Sequence, residues 1–334
     1  MNKFLSSKEV VENLKSSSFK YHEVIIVGFG YMGKEYVKAA QSLGFGQITV
    51  YTRTKPKESP KGIKIVSGGF EKLPVSTNNK NLVIVAVSTD LLLLASEWII
   101  KQGYKNILCE KPVSLWSTQI EELNKMVLHE KVSFYCAFNR IAFPSVIEAR
   151  YQCDLLGGVT SCRYSFTELA KRLNLSLYSE SEKKRWGIAN SIHVLSLAHA
   201  VIGNPRTWNS VHGGALDWHP SGSYFIGSGI SVDNIPFSFF SDWGSSDRWS
   251  VEFFTSGAAF RLCPLEKLYL KESSLVDWKE CAVSVCDSNT KPGLLEQMAA
   301  ILFPEKCPIP LFQLDKLAQL VQFSENIFGY SEGL

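Results

Sequence analysis

Three glycines near the start of the chain have the spacing of a phosphate-binding turn. Gly28, Gly30 and Gly33 stand in the run GFGYMG, between a β-branched run, residues 24–27, and a helical stretch, residues 34–43. Gly28 would allow the tight turn, Gly30 a close approach to a pyrophosphate, and Gly33 close packing of helix on strand. The predicted cofactor contacts of this turn are Gly28, Gly30, Tyr31, Met32 and Gly33. The flanking strand and helix favour a dinucleotide site over a chance glycine turn.

The residues after the second predicted strand indicate which dinucleotide binds. This strand, residues 47–51, is followed by Thr52, Arg53 and Thr54, and Arg53 lies twenty positions after Gly33. An Asp or Glu at this place would hold the ribose hydroxyls of NAD. A guanidinium fork between two hydroxyls instead suits the additional 2′-phosphate of NADP. We therefore predict NADP, with NAD as the second choice; a solvated basic turn is the alternative interpretation.

Further apolar runs predict the sheet that positions these residues. Residues 62–66 predict a short strand, and the fully apolar residues 82–87 predict a central one. The central strand ends in Ser88 and Thr89, at the edge of the sheet where the cofactor is expected. A helix and another strand, residues 106–109, follow. This alternation predicts an α/β fold with an N-terminal Rossmann doubly wound parallel sheet.

A lysine follows the strand formed by residues 106–109, in the tripeptide Glu110-Lys111-Pro112. A strand that ends in E-K-P, downstream of an N-terminal G-x-G-x-x-G, resembles the glucose–fructose oxidoreductase / inositol dehydrogenase (Gfo/Idh/MocA) family. The resemblance implies that Lys111 is catalytic, that Glu110 and Lys111 lie at the cofactor, and that the bond before Pro112 is cis. A surface lysine before a helix-starting proline is the alternative.

The same resemblance implies a catalytic histidine in the second half of the chain. Residues 187–202 predict a helix that ends at Gly203, and His193 lies where the family has its motif histidine. In the related dehydrogenases this histidine takes the hydroxyl proton as hydride leaves the carbon. Its ordinary pKa, ~6.5, is close to working pH, and a cationic Lys111 nearby would lower that pKa. A satisfied core histidine is the alternative, and His199 is expected to be one.

Two carboxylates of the family are missing from this helix. Many of its sugar dehydrogenases have an Asp four residues before the histidine and another three after it, where this chain has Ala189 and Ser196. Asn190 is adjacent to the first position but turned by roughly 100° around the helix. After the central predicted strand, the family usually has Thr-Pro, and this chain has Ser88-Thr89 instead. The site could therefore take a different substrate, use Asn190 as a hydrogen-bond partner, or be impaired.

Three residues are candidates for substrate binding: Asn139, Trp186 and Asn190. Asn139 directly follows the predicted strand 132–138 and precedes Arg140, in a segment similar to the family's N-x-R-x-x-P-like junction. Its amide could bind the nicotinamide amide or a sugar hydroxyl, or it could cap the helix that starts near Pro144. Trp186 precedes the histidine helix and could stack on a sugar ring. Most tryptophans of this half are expected to fill the faces of a sheet.

The composition changes after about residue 155, where tryptophans and alternating apolar–polar runs become frequent. Alternation predicts a C-terminal α+β domain with a large open, mainly antiparallel sheet. The predicted strands are 207–211, 223–230, 237–240, 249–254, 259–262 and 267–271. The predicted units are an N-terminal extension (1–21), the Rossmann domain (22–144), a substrate and oligomerisation domain (145–291) and C-terminal helices packing back on the Rossmann domain (292–334). The resemblance implies a homodimer or homotetramer through the open sheet.

Bulk properties argue against several other classes of protein. A chain of 334 residues with 45% hydrophobic and 20% charged residues suits a two-domain globular protein. A net charge of +3 without a dense basic run argues against nucleic-acid binding. The eight cysteines show neither C-x-x-C pairs nor histidines at metal spacing, so we predict reduced thiols and no metal site. Without a signal core or a ~18-residue apolar window, we predict a cytoplasmic protein that binds no membrane.

Together these features predict an NAD(P)-dependent dehydrogenase or reductase that acts on CH–OH groups, with NADP preferred. Hydride would pass between the nicotinamide and a carbinol or keto carbon of a sugar, nucleotide-sugar or cyclitol. The resemblance gives His193 the acid–base role and Lys111 the role of orienting the oxygen. A non-catalytic NAD(P)-sensing regulatory protein on the same fold is the alternative, which the missing carboxylates favour. Reduction of a non-sugar ligand such as biliverdin or an imine is a third hypothesis.

Overall fold

The computed structural model describes residues 4–20, 22–58, 60–78, 80–274 and 276–330. The first three and the last four residues of the predicted terminal units lie outside these ranges. The α-helices are α1 (Ser7–Ser16), α2 (Tyr31–Leu43), α3 (Thr89–Lys101), α4 (Ser117–His129), α5 (Pro144–Leu155), α6 (Glu180–Lys184), α7 (Ile192–Ile202), α8 (Leu294–Leu302) and α9 (Leu314–Ile327). The strands are β1 (Glu23–Val27), β2 (Gln47–Thr52), β3 (Lys64–Ser67), β4 (Leu82–Val85), β5 (Asn106–Glu110), β6 (Ser133–Ala137), β7 (Ser161–Ser165), β8 (Pro205–Gly213), β9 (Tyr224–Ser231), β10 (Pro236–Asp242), β11 (Ser250–Phe254), β12 (Ala258–Leu262), β13 (Leu268–Glu272) and β14 (Lys279–Cys281).

The first sheet is the predicted doubly wound parallel sheet. Its strands have the order β3-β2-β1-β4-β5-β6, and every neighbouring pair is parallel. Every residue of β4 is buried, as its unbroken apolar sequence predicts. The strand order reverses between β1 and β4, and in such sheets ligands bind at the carboxyl ends of the strands beside this reversal. The fold therefore opens a crevice where the glycine turn follows β1.

The second sheet confirms the predicted large, mainly antiparallel sheet. Its order is β14-β13-β12-β11-β7-β10-β9-β8, with one parallel pair, β7 and β10. In β10, Phe237 and Phe239 are buried under α7 and α9, whereas Phe240 on the other face is 52% exposed. The exposed apolar side chains on strands β8 to β10 are Val211, Tyr224, Ile226, Ile230 and Phe240. Oligomerisation through this face stays a prediction.

The last two helices connect the two sheets. Helix α8 packs on α2, while α9 packs both on α4 beside the first sheet and on β8 of the second. Arg185 and Glu325 of α9 form a buried salt bridge of 2.5 Å, and the Arg185 guanidinium stacks on the Trp116 ring at 3.5 Å. A salt bridge removed from water is stable only if its two charged groups are well aligned and hydrogen-bonded, because burial costs both ions their hydration. The two sheets are thereby fixed against each other.

Two further findings concern the chain as a whole. All eight cysteines have free thiols, and five of them are buried: Cys109, Cys136, Cys153, Cys162 and Cys307. Among the helices in the described ranges, none combines the length and the apolar character needed to cross a bilayer.

Replacement of Gly33 by alanine should destabilise the first domain. A Cβ at Gly33 would lie 2.1 Å from the carbonyl oxygen of Gly28, whereas a Cβ at Gly30 would have no heavy atom within 4 Å. We expect Gly33→Ala to lower the free energy of unfolding by ~1–3 kcal/mol, the usual cost of overpacking. Gly30→Ala is the matched control and should change it by less than about 0.5 kcal/mol. Urea unfolding measures both, and equal midpoints for the two variants would contradict this packing.

Candidate functional site

A cavity of about 620 Å³ lies at the carboxyl ends of β1, β2 and β4. The predicted cofactor residues in its wall are Gly28, Gly30, Tyr31, Met32, Thr52, Arg53, Thr54 and Ser88. Gly33 stands behind this wall, where α2 packs on the glycine turn. The residues that motif spacing singled out at three separate strand ends thus surround one continuous space.

The glycine turn has the geometry that a pyrophosphate requires. Gly28 has φ +104°, in the region that favours glycine, and a Cβ there would lie 2.3 Å from the Ala86 carbonyl oxygen. Gly30 is the N-cap of α2 and gives no side-chain hydrogen bond, so the first N–H groups of this helix keep their donor capacity for a ligand. The space beside Gly30 is open. The residues present therefore fit a bound dinucleotide.

The far end of this cavity combines a positive and a negative side chain. Arg53 follows β2 as predicted, and the hydroxyl of Thr52 donates to the Thr54 carbonyl at 3.3 Å. The Arg53 stem and the Glu71 carboxylate both flank Gly69. Sequence reasoning missed Glu71 because it comes from a 3₁₀ turn after β3, at no fixed distance from the glycine motif. A 2′-phosphate at this end would meet the guanidinium with a carboxylate beside it.

Three predicted cofactor contacts, Thr89, Glu110 and Lys111, have other partners. The Thr89 hydroxyl, at the start of α3, donates to Glu182 at 2.6 Å. Glu110 is buried and accepts a hydrogen bond from the Tyr36 hydroxyl at 2.8 Å. Burial raises the pKa of Glu110, against the opposing effects of Tyr36 and Lys111. None of Thr89, Glu110 and Lys111 lines the cavity. Thr89 binds α6, Glu110 is buried against Tyr36, and the Lys111 ammonium binds the Ala189 carbonyl.

Lys111 connects the end of β5 to the second half of the chain. The bond between Lys111 and Pro112 is cis, as the resemblance implied. The Lys111 ammonium donates to the Ala189 carbonyl at 2.5 Å. Burial lowers the pKa of Lys111, the Glu110 carboxylate opposes this shift, and the positive charge of Arg140 adds to it. The Lys111 ammonium thus contacts the backbone of Ala189, four residues before His193 in the same helical segment.

The predicted helix over 187–202 begins differently from an ordinary α-helix. Gly187–Ser191 form a π-helical turn that continues directly into α7. The Gly187 N–H donates to the Tyr330 hydroxyl at 2.8 Å, and the Phe328 ring fills the space where a Cβ at Gly187 would stand. Single π turns occur frequently at functional sites. The C-terminal residues after α9 therefore support the turn that carries the Ala189 carbonyl.

His193 is held neutral by its surroundings. Its side chain is 5% exposed, and its ring lies 6.2 Å from the Phe138 ring and 6.0 Å from the Trp249 ring. Within the described ranges, its buried Nδ1 has no hydrogen-bond partner. Burial first, and then the positive charges of Arg140, Lys111 and Lys291, hold the pKa of His193 well below 6.5. A neutral imidazole at pH 7 can accept a proton.

A carboxylate that sequence reasoning missed binds the π turn. Glu168 follows β7, is 5% exposed, and accepts hydrogen bonds from Ser191 at 2.7 Å and Asn190 at 3.0 Å. Burial raises the pKa of Glu168, against the effect of these hydrogen bonds. At the positions of the missing family carboxylates, Ala189 offers its carbonyl to Lys111 and Ser196 donates to its own helix. A carboxylate therefore reaches this turn from a different element, which helical spacing cannot reveal.

The structure gives two predicted substrate residues other roles. Asn139 is buried and donates to the Pro292 carbonyl at 3.1 Å. It does not cap α5 either, because Phe143 is the N-cap and no side-chain hydrogen bond is formed there. Trp186 is 1% exposed and packs edge-on against other aromatic rings, so it fills the core. Trp249 is the tryptophan that borders a cavity next to His193.

This second cavity has a volume of about 400 Å³ and a strongly charged wall. Its charged residues are Arg140, Glu168, Arg172, Arg248 and Glu266. The Arg140 guanidinium lies over the Trp249 ring at 4.8 Å. The Trp249 ring lies 6.0 Å from the His193 ring, and the charge of Arg140 lowers the pKa of His193. Lys291 lies over the ring of Tyr31, a residue of the first cavity, at 5.0 Å and also lowers the pKa of His193. His193 therefore borders Trp249 of the second cavity, and the charges of Arg140 and Lys291 both act on it.

Comparison with known proteins gives matches in structure. No family model and no curated protein matches the chain by sequence. UDP-N-acetylglucosamine 3-dehydrogenase of Acidithiobacillus ferrooxidans matches 93% of this chain and 98% of its own, with TM-score 0.68 and 11% identity. Levoglucosan dehydrogenase in complex with NADH and L-sorbose matches 91% and 95%, with TM-score 0.69 and 14% identity. A putative NADPH-dependent oxidoreductase of Desulfitobacterium hafniense matches 94% and 95%, with TM-score 0.69 and 12% identity.

These matches extend over both sheets and nearly the full length of each chain, so they concern the complete architecture. Identities this low carry no information about individual side chains, and the likeness therefore establishes the fold. The two-sheet arrangement predicted from the glycine motif, the E-K-P tripeptide and the alternating C-terminal strands is confirmed. The chain has the two-domain fold of these oxidoreductases.

Proposed function

We propose that the protein is an NAD(P)-dependent dehydrogenase or reductase, with NADP preferred, that acts on a carbinol or keto carbon of a sugar-like substrate. The observation that carries the proposal is the contact of Lys111 with the helical segment that bears His193. Lys111 extends from β5 to the Ala189 carbonyl, and His193 lies one turn further along the same helical segment. Lys111 follows a strand of the first sheet and His193 lies on α7 of the second half of the chain, and the charge of Lys111 acts on His193 by lowering its pKa.

The arrangement supports proton transfer at a substrate oxygen. A bound nicotinamide would supply the hydride acceptor or donor. The neutral imidazole of His193 takes the proton of the substrate hydroxyl in the oxidation, and the protonated imidazole returns it in the reduction. The Lys111 ammonium donates a hydrogen bond to the same oxygen and stabilises its negative charge. Lys111 and Arg140 also disfavour the protonated imidazole, so His193 stays available as a base.

Glu168 bears on the alternative of a non-catalytic regulatory protein. The two missing family carboxylates favour that alternative in the sequence. The hydrogen bonds of Glu168 to Asn190 and Ser191 supply the same π turn with a buried carboxylate from elsewhere. The sequence left three possibilities for the site: a different substrate, the use of Asn190 as a hydrogen-bond partner, or impairment. The contact between Asn190 and Glu168 supports the second.

Lys111→Ala should abolish most turnover while leaving cofactor binding intact. Loss of one donor to a developing oxyanion commonly costs ~10²–10³-fold in kcat. The assay is a substrate screen of sugars, nucleotide sugars and cyclitols with NADP⁺ or NADPH, and cofactor affinity is measured by fluorescence titration. Lys105→Ala, at the opposite end of β5 where the ammonium binds the Glu130 carbonyl, is the control. Undiminished turnover in Lys111→Ala would refute the enzyme proposal.

Arg53→Ala should weaken NADPH binding and leave NADH binding unchanged. A charge-assisted hydrogen bond to a phosphate contributes ~1.5–3 kcal/mol, which corresponds to about 10- to 100-fold in affinity. The measurement is the dissociation constant of each cofactor by fluorescence titration. Lys55→Ala removes a neighbouring positive charge that does not line the cavity and is the control. Tighter binding of NADH than of NADPH by the unchanged protein would contradict the NADP preference.

Arg140→Met should shift the pH dependence of substrate oxidation. Oxidation requires neutral His193, so kcat/KM falls as the pH drops through the pKa of this histidine. Arg140 is the largest charge effect among the causes that lower this pKa. Its removal should therefore move the acidic limb of the profile to higher pH, towards ~6.5. Arg206→Met, on exposed β8, should leave the limb in place; an unmoved limb in Arg140→Met would exclude this coupling.

A further inference from the structure

The wall of the second cavity carries more positive charge than the binding of a neutral sugar requires. Its wall contains Arg140, Arg172 and Arg248, against two carboxylates, Glu168 and Glu266. Burial raises the pKa of Glu168, whose Oε1 already accepts hydrogen bonds from the π turn. Among the described residues, the arginines that form salt bridges are Arg163, Arg185 and Arg261. Within the described residues, none of the three cavity arginines forms such a salt bridge, although the charges of Glu266 and Glu168 act on Arg140.

Three separate segments bring these guanidinium groups together. Arg140 lies in the 3₁₀ turn Asn139–Ala142 at the junction of the two domains, and Arg172 lies in the 3₁₀ turn Ala170–Arg172 after β7. Arg248 lies in the loop between β10 and β11. Like charges converging on one space repel one another, so the arrangement gains stability when an anion enters. Because the three arginines come from separate segments, a single solvated basic loop does not explain their position around one cavity.

The positions of the arginines define an orientation for the substrate. Arg140 and Trp249 are partly buried at the end of the cavity that faces His193. Arg172 and Arg248 are exposed and stand at the mouth. A substrate with its reacting carbon at His193 therefore extends past Trp249 towards these two guanidinium groups. Each group can bind two oxygens of a phosphoryl or carboxylate group through its planar fork.

We propose that the substrate is an anionic sugar derivative whose phosphoryl or carboxylate oxyanion binds between Arg172 and Arg248. The inference rests on the proposed function and narrows its substrate class: sugar phosphates, nucleoside-diphosphate sugars and sugar acids fit, whereas neutral sugars and cyclitols lack the group that the arginines recognise. Arg140 assists from the inner end, next to the reacting centre.

The test is equilibrium binding to the full chain saturated with NADPH, measured by calorimetry with matched ligands. Glucose 1-phosphate, UDP-glucose and glucuronate carry the oxyanion, and glucose does not. We expect at least one anionic ligand to bind ten-fold or more tightly than glucose. The comparison of glucose 1-phosphate with glucuronate distinguishes a phosphoryl from a carboxylate preference, and either preference supports the proposal.

The double variant Arg172→Met/Arg248→Met should lose at least ten-fold in affinity for the preferred anion and retain its affinity for glucose and NADPH. Lys171→Met removes the neighbouring positive charge, which does not line the cavity, and should bind as the unchanged protein does. Equal binding of glucose and all anions, absence of binding by every anion, or undiminished anion affinity in the double variant would overturn the proposal. The readout is binding, so its outcome is independent of the turnover assay on Lys111→Ala.

Discussion

The hydrogen bond from the Lys111 ammonium to the Ala189 carbonyl is the interaction on which the site depends. It joins the carboxyl end of β5 in the first sheet to the π turn that precedes α7 on the second. Burial lowers the pKa of this lysine and the Glu110 carboxylate opposes that shift, so the ammonium is retained by a charge beneath it and a carbonyl above it. Because both partners lie on packed elements, the contact fixes where His193 stands relative to the glycine turn.

The positive charges near this contact repel one another, and the ionisable groups beside them are buried. Packing of the fold holds these groups together despite that cost. Lys111, Arg140 and Lys291 surround one imidazole and keep its pKa low, while the buried carboxyl groups of Glu110 and Glu168 have raised pKa values. Burial is the first cause of each shift, and in each case it disfavours the charged form of the group. The salt bridge of Arg185 and the packing of α9 on both sheets supply the rigidity that holds these groups in place.

The sequence predicted the residues of the first cavity better than it predicted the residues around His193. Motif spacing identified much of the wall of the first cavity, including Arg53, because β1, the glycine turn, α2 and β2 form one local βαβ unit. Roles based on neighbourhood in the chain were less successful. Asn139 and Trp186 adjoin the site in sequence, yet Asn139 binds the Pro292 carbonyl and Trp186 is enclosed by aromatic rings. The π turn was also unforeseen, because apolar periodicity does not distinguish its wider winding from an α-helix.

The sequence alone determined the glycine turn, the parallel sheet and the alternating second sheet, since each follows from steric and apolar patterns within a few adjacent residues. Only the tertiary structure decided that Glu168 binds Asn190 and Ser191 of the π turn, that the charge of Lys291 acts on His193, and that three arginines share a cavity. These side chains come from loops at no fixed spacing from any motif. Their meeting depends on how two sheets pack together, and packing is a property of the whole chain.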